Sequence, residues 1–331
     1  MRIERKDYYI MTLNIGRQGF IGVGLQSAAQ VPAAIADYVP FDSNTLHGVQ
    51  EQLKVQHATG YRDSTFSSVP GKAYSEGSIG GIIDSKLFGY FAVAALGTVN
   101  TATQGSGVYK HTITRNDSNA PQLLTITNDR VVDRQNYYDV AVDQLEIAVG
   151  TDLSSYTVGL KGAFPQTTTS GTNTTASGNV FSFRNAQFAF GSTVAVAQAA
   201  TNLKTHDMKV TISNNAEVVH AHGSSNPRSV NNKGFSVGAD FQLYFENTTD
   251  RDAYYNQSKQ AASLQFIGNG IGGGFFEFVK CNFYQTSVET FELETGLDSF
   301  YAEKVKLSAE WDNVNSKTFD MEIQNNKTLY I

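Results

Sequence analysis

A single cysteine, Cys281, in 331 residues excludes an internal disulfide framework and any cysteine-based zinc site. Proline is scarce, and charged residues make up 17% of the chain, below the quarter usual in globular domains. A cationic excess is missing too. The 25 Lys and Arg face 31 Asp and Glu, for a net charge of −6. That argues against a protein that coats duplex DNA by displacing counterions, but not against one that encloses nucleic acid without gripping it. No window approaches 18 uninterrupted apolar residues, so no membrane-spanning helix is expected. The charges at Arg2, Glu4, Arg5, Lys6 and Asp7 are followed by no apolar run, so no secretory signal is expected and an intracellular product is.

What is present is Gly, Thr, Tyr and Phe in a pattern of period two. Residues 124–132, 143–150, 156–164, 207–215, 236–245, 289–296 and 304–311 each alternate apolar and polar, as half-buried strands do. Two segments read as helix. Residues 84–97 open at Asp84 and close at Gly97, and residues 247–260 start from Asn247 or Thr248, with capping chemistry at both starts. The stretch 166–179, "QTTTSGTNTTASGN", is polar and apolar-free, a linker by composition. The expected organisation is a loose N-terminal arm or extension ahead of Met11 (1–11), a first unit (12–165), the linker (166–179) and a second unit (180–331).

The two units share motifs in the same order. "LKV" at 53–55 answers "MKV" at 208–210, and "KAYSEG" at 72–77 answers "KGFSVG" at 233–238. "LEIAVGTDLSSY" at 145–156 answers "FELETGLDSFYA" at 291–302, keeping Gly150 and Asp152 against Gly296 and Asp298. "GLKGAF" at 159–164 answers "KLSAEW" at 306–311. Four ordered matches predict a tandem duplication of one mainly β unit with one short helix. The paired Asp152 and Asp298 read as turn residues that bond their own backbone.

No catalytic, cofactor or metal constellation assembles. "GNGIGG" (268–273) has the formal G-x-G-x-x-G spacing, but an alternating aromatic segment follows it where a helix would have to start. A strand on both sides makes Gly268, Gly270, Gly272 and Gly273 a hairpin turn, not a phosphate cradle. His220 and His222 share a strand face without an adjacent third ligand. No G-x-S-x-G stands on a strand–helix elbow. The expectation is a protein that is not an enzyme and needs no cofactor.

Three stretches resemble the major tail proteins, or tail tube proteins, of siphophages: "GFIGVGLQSAAQVPAAIADYVPF" (19–41), "SSVPGKAYSEGSIGGIIDSKLFGYFAVAALGTV" (67–99) and "GVYKHTITRNDSNAPQLLTI" (107–126). The segment from Leu203 to Phe245 is similar to the paired strands that the family places around a long loop. The resemblance implies a mainly β fold of two similar β-sandwich or half-barrel units, each with one short flanking helix. It implies a structural virion protein that forms rings, stacks them into the noncontractile tail tube and so lines the path of genome ejection. Implied partners are other copies of the chain, the tape measure, tail terminator and distal tail proteins, and duplex DNA passing without specific binding. No membrane partner is implied. Two units per chain favour a trimeric ring with pseudo-sixfold symmetry, a hexamer being the alternative. Asp143, Glu146 and Glu292 are expected to face the lumen, where acidic groups repel phosphate. Loops 56–71 and 214–233 are expected to join ring to ring.

Two other classes fit parts of the pattern. A β-sandwich carbohydrate-binding or adhesive module would use Tyr8, Tyr9, Tyr61, Tyr137 and Tyr138 as an exposed aromatic platform. The tube of a contractile tail or of an injection system would share the fold.

Overall fold

The computed structural model describes residues 16–57, 60, 62–168, 178–200, 205–295 and 300–330. The chain opens with β1 (Phe20–Leu25), β2 (Asp37–Val39), β3 (Ser43–Asn44) and a long hairpin of β4 (His47–Val55) and β5 (Ser67–Ile82). After α1 (Phe88–Leu96) come the hairpin β6 (Gly97–Gly105) and β7 (Val108–Arg115), then β8 (Leu124–Asp129), β9 (Arg134–Val149), β10 (Ser155–Gly162) and β11 (Gln166–Thr167). The remainder runs β12 (Ala186–Gly191), α2 (Val194–Ala199), β13 (Thr205–Ser213), β14 (Ala216–Val219), β15 (Ser229–Asn232) and β16 (Ser236–Tyr244). It ends with α3 (Thr249–Tyr255), β17 (Gln260–Gly272), β18 (Phe275–Glu294), β19 (Ala302–Glu310) and β20 (Phe319–Asn325). The fold is mainly β. Each alternating segment of the sequence falls largely in a strand among the described residues, but α2 and the hairpin β14–β15 were not anticipated.

The strands form two layers. One is a long sheet in the order β4-β5-β10-β9-β13-β16-β19-β18, antiparallel throughout and not closed into a barrel. The other packs over it in a sandwich-like arrangement and carries β1, β2 and β8 beside the first half of β9. It also carries β6, β7, β20, β17 and β12 beside the first half of β18. Thus β9 and β18 each belong to both layers, one through each end. Of residues 166–179, Gln166 and Thr167 pair with β9, and 169–177 lie outside the described residues. A single hydrophobic cluster crosses from one side of that segment to the other, joining Ile147 and Val158 to Val210 and Leu307.

Helix α1 lies between the layers with all nine of its residues buried, which explains why "FGYFAVAAL" has no polar stripe. It ends at Gly97, whose φ of 99° and N–H bond to the Val93 carbonyl close the last turn. Asp84 acts just ahead of the helix, its Oδ1 accepting from the Lys86 and Leu87 N–H groups at 2.7 and 2.6 Å.

Residues from the far end of the chain complete this core. Tyr330 packs edge-on against Tyr90 and His111 and donates to the Lys86 carbonyl at 2.8 Å. Asn325 donates to the Ser85 carbonyl at 2.6 Å, and Lys327 pairs with Asp37 at 2.5 Å. Gly89 makes the seat possible, since a Cβ there would run into the Tyr330 ring. His111 is fully buried. Desolvation pushes its pKa below the usual value, against weaker opposing hydrogen bonds from Asn325 and the Lys327 carbonyl.

Two outcomes follow from this seat. Helix propensity alone makes Gly89→Ala stabilising by about 1 kcal/mol. The Tyr330 seat reverses the sign, so thermal denaturation should show a loss of about 1–3 kcal/mol, the range for overpacked cores. The folded state holds His111 neutral, so the unfolded chain binds more protons once pH drops below about 6.5. Stability from this group is therefore complete above that pH and declines below it, and His111→Gln should flatten the acid limb of a stability–pH curve.

Candidate functional site

The long sheet is two four-stranded halves joined by one backbone ladder. In the first half the order is β4-β5-β10-β9, and in the second β13-β16-β19-β18. The seam is the pairing of β9 with β13, from Val149↔Met208 to Gln144↔Ser213.

The halves match in register as well as order. Leu145 faces Val158 across β9 and β10, and Phe291 faces Val305 across β18 and β19. Each ladder then skips one residue, Asp143 in the first and Glu289 in the second. Ahead of these, Tyr137 faces Ile126 and Phe283 faces Ala262, both next to a second register shift. Tyr137, Asp143 and Leu145 lie 146 residues before Phe283, Glu289 and Phe291. Bulges are local backbone features that side-chain burial alone does not demand, so their recurrence at one spacing is informative. Two sequence matches need correction. Leu160 faces Gly77 but Leu307 faces Ala239, so "KAYSEG" and "KGFSVG" sit one residue out of step. "LKV" at 53–55 lies in the outer part of the β4–β5 hairpin, whereas "MKV" at 208–210 lies in the seam; these two are not equivalent.

One face of the long sheet buries Leu145, Ile147, Val158, Val210, Phe241 and Leu307. The opposite face is polar; the β14–β15 hairpin covers it at Ala141, Asp143 and Lys161, and its β13–β16–β19 part is exposed. Residues of five adjoining strands, among them Ala148, Lys209, Asp240, Lys306 and Glu292, line one depression on it. Each lysine on β10, β13 and β19 reaches a carboxylate of a neighbouring strand. The pairs are Lys161–Asp143 at 3.0 Å, Lys209–Glu146 at 2.6 Å, Lys304–Glu294 at 2.5 Å and Lys306–Glu289 at 2.9 Å. At this exposure the pairs add little to stability, so their effect is on the field more than on stability. Glu76, Asp240 and Glu292 add negative charge on the same face, and Asp240 and Glu292 help hold the Lys306 and Lys304 pKa values high, behind the direct hydrogen bonds these lysines donate to Glu289 and Glu294. Asp143, Glu146 and Glu292 thus all stand on the polar face. The lysines opposite them had a signal in the sequence: "ELE" (292–294) and "KVK" (304–306) are complementary across one hairpin.

Both ends of the long sheet are open. Among the described residues, β3 and β4 pair with β5 alone, and residues 287–294 of β18 pair with β19 alone. Past an irregularity, a hairpin projects from the corner of each half. In the first half it is the outer part of β4–β5, with one all-aliphatic cross-strand pair, Leu53↔Val69. In the second it is β14–β15, whose corresponding pair is Val218↔Val230. This second hairpin folds back over the first half. Val230 and Ala216 are buried against Leu123 and Ala141. The Ala216 N–H donates to Asp143 Oδ1 at 2.7 Å, Lys161 donates to the Ala216 carbonyl at 2.9 Å, and the Ala73 N–H donates to the Ser225 carbonyl at 2.9 Å.

The remaining candidates are dispersed. Gly273 and Gly274, both with positive φ, form the two-residue turn between β17 and β18, flanked by Gly272. Gly268 and Gly270 lie earlier, within β17. The corresponding β8–β9 turn is Arg130–Asp133, with the Asp129 side chain accepting the Val131 N–H. Gly150 lines the depression, and Asp152 is an exposed turn residue whose carbonyl accepts from Phe183. Gly296 and Asp298 fall outside the described residues, as do Tyr8, Tyr9 and Tyr61. Tyr137 is fully buried and donates to Gln135 at 2.7 Å, which removes it from any exposed aromatic platform. His220 sits edge-on against Tyr74. Among the described residues no three His, Cys, Asp or Glu side chains gather as for a metal, and no helix is long and apolar enough to cross a membrane.

A protein-family model described as "Phage tail tube protein" matches residues 16–312. No curated protein matches the chain.

Asp143 ties the seam to the folded-back hairpin. Asp143→Ala removes the Lys161 pair and the Ala216 hydrogen bond, with an expected loss of about 1–2 kcal/mol. Faster proteolysis between residues 219 and 229 should accompany it.

Proposed function

For a chain that belongs to the phage tail tube protein family, we propose a ring of three copies that stacks into the tail tube and forms a conduit for the genome. The observation that carries this reading is the seam. The chain joins the edge of its own β9 to the edge of its own β13, and the same kind of edge is left open at each end of the long sheet. Three copies repeating the seam pair all of these edges, and ring closure removes the hazard of exposed strands. The recurring register and bulges support a tandem duplication, with boundaries near residues 166–179. Two units per chain then make the ring pseudo-sixfold.

Size supports three copies over two. With strands about 4.8 Å apart and tilted near 40°, two eight-stranded sheets close at about 32 Å across the backbone and three at about 48 Å. Taking about 5 Å of side chain off each wall leaves clear room for a hydrated duplex, roughly 20 Å wide, only in the larger ring.

The polar face is the one turned to the lumen. The lysines of β10, β13 and β19 on it are already held by carboxylates and the surplus along these strands is acidic, so phosphates find little to grip there and the duplex slides. Repeating the seam register between copies puts His47 of one copy opposite Glu292 of the next, on that same face. The tape measure, tail terminator and distal tail proteins are the expected partners at the ends of the tube.

Electron microscopy of the purified protein should show rings or tubes with a central hole, and native mass measurement three chains per ring. Six chains per ring would replace the trimer, and monomers alone would overturn the assembly. Hydrogen exchange gives a local readout: the amides of 47–49 and 290–294 that point away from β5 and β19 should exchange quickly in the monomer and at least 100-fold more slowly after assembly. Phage carrying Glu146→Lys with Glu292→Lys should eject DNA more slowly, with the delay shrinking as salt rises.

A further inference from the structure

We propose that the β4–β5 arm, residues 51–55 and 66–70, is a clasp that lies across the second half of the neighbouring copy in the same ring. This rests on the ring proposed above. It moves the arm's contact inside the ring, where the sequence alone placed it between rings.

The template is inside the chain. At the seam, the β14–β15 hairpin of the second half crosses over the first half and buries Val230 against Leu123 and Ala141. The arm leaves the corresponding corner of the first half, with its own aliphatic pair on a hairpin of the same register pattern. It has no half to cross within its own chain. Leu53 and Val69 are 54% and 47% exposed, whereas Val230 is 4% exposed. Phe66, near the end of the arm, is 66% exposed and touches only His57 among aromatic rings of the described residues. Solvent therefore meets apolar side chains where the second hairpin has a cover.

The spacing of 146 residues locates that cover. Ala141 and Asp143, which receive β14–β15, correspond to Ser287 and Glu289. Both lie on the open stretch of β18, beside the edge that the next copy would occupy. Glu289 and Lys259 are well exposed, and Ser287 donates to Glu310 at 2.7 Å. Asp143 accepts a backbone N–H from the root of β14, and Glu289 offers the same acceptor to the root of the arm. The aliphatic stem of Lys259 offers the arm apolar surface. The occupant is a second copy of this chain, because only that copy brings an uncovered arm to the edge that β18 leaves open.

The test uses Val69→Cys with Ser287→Cys in the full chain and a short bis-maleimide. Cys281 is buried and burial pushes its thiol pKa up, which leaves the two introduced thiols as the reactive ones. The expected result is covalent species of two and three chains, ending at three, in both rings and tubes. Rings that form but give no covalent species overturn the clasp and leave the ring standing. A covalent ladder running past three chains in tubes places the arm between rings and overturns it too. Monomers alone overturn the ring reading, and the clasp with it. A second variant, Leu53→Asp with Val69→Asp, should keep the monomer's circular dichroism and melting, since both positions are exposed, while raising the concentration needed for rings at least 10-fold. Unchanged ring assembly in that variant counts against the clasp.

Discussion

The backbone ladder between Gln144–Val149 and Met208–Ser213 is the contact on which the rest depends. Buried amides and carbonyls require partners, and neither four-stranded half supplies them at both of its edges. Joining β9 to β13 satisfies one pair of edges, makes the polar face continuous, and lets a single core run beneath both halves. It also fixes how the β14–β15 hairpin must cross, because Asp143 and Lys161 hold its root at the seam. The open ends of the sheet are the remainder of the same requirement.

Much of the fold was legible because burial is one-sided. A strand with one wet face alternates, and segments such as 143–150, 236–245 and 304–311 could be read directly. Helix α1 was legible from its Gly97 stop, although its buried surround removed the usual polar stripe. The misses have physical causes. Helix α2 is six residues long, too short for a period to emerge from "VAVAQA". The residues of β14 and β15 are a polar mixture whose hairpin is fixed by contact with the first half. The pairing of β9 with β13 is written in backbone atoms, which carry no residue code.

The functional surface was read in part. Asp143, Glu146 and Glu292 were found as acids on alternating strands, but their meaning depends on lysines of the adjoining strands, which only the strand pairing brings opposite them. The bulges at Asp143 and Glu289 recur in both halves and so do not account for the one-residue offset of "KAYSEG" against "KGFSVG", which match in letters but not in register. The glycines were a lesson of the opposite kind. Gly273 and Gly274 are required by positive φ at a two-residue turn, while Gly268 and Gly270 complete a famous spacing without sharing that role.

The seat of Tyr330 against Gly89 has a bearing on the order of events during synthesis. Tyr330 follows Lys86, whose carbonyl it bonds, by 244 residues. At roughly 5–20 residues per second it is added on the order of 10 to 50 seconds later. Through that interval α1 exists with one flank of its packing unfilled, and the β2 carboxylate at Asp37 waits for Lys327. The first half cannot reach its final rigidity while the chain is still being extended. A nascent chain is in this way kept softer than a finished one, and a truncated product is marked by a cavity beside α1.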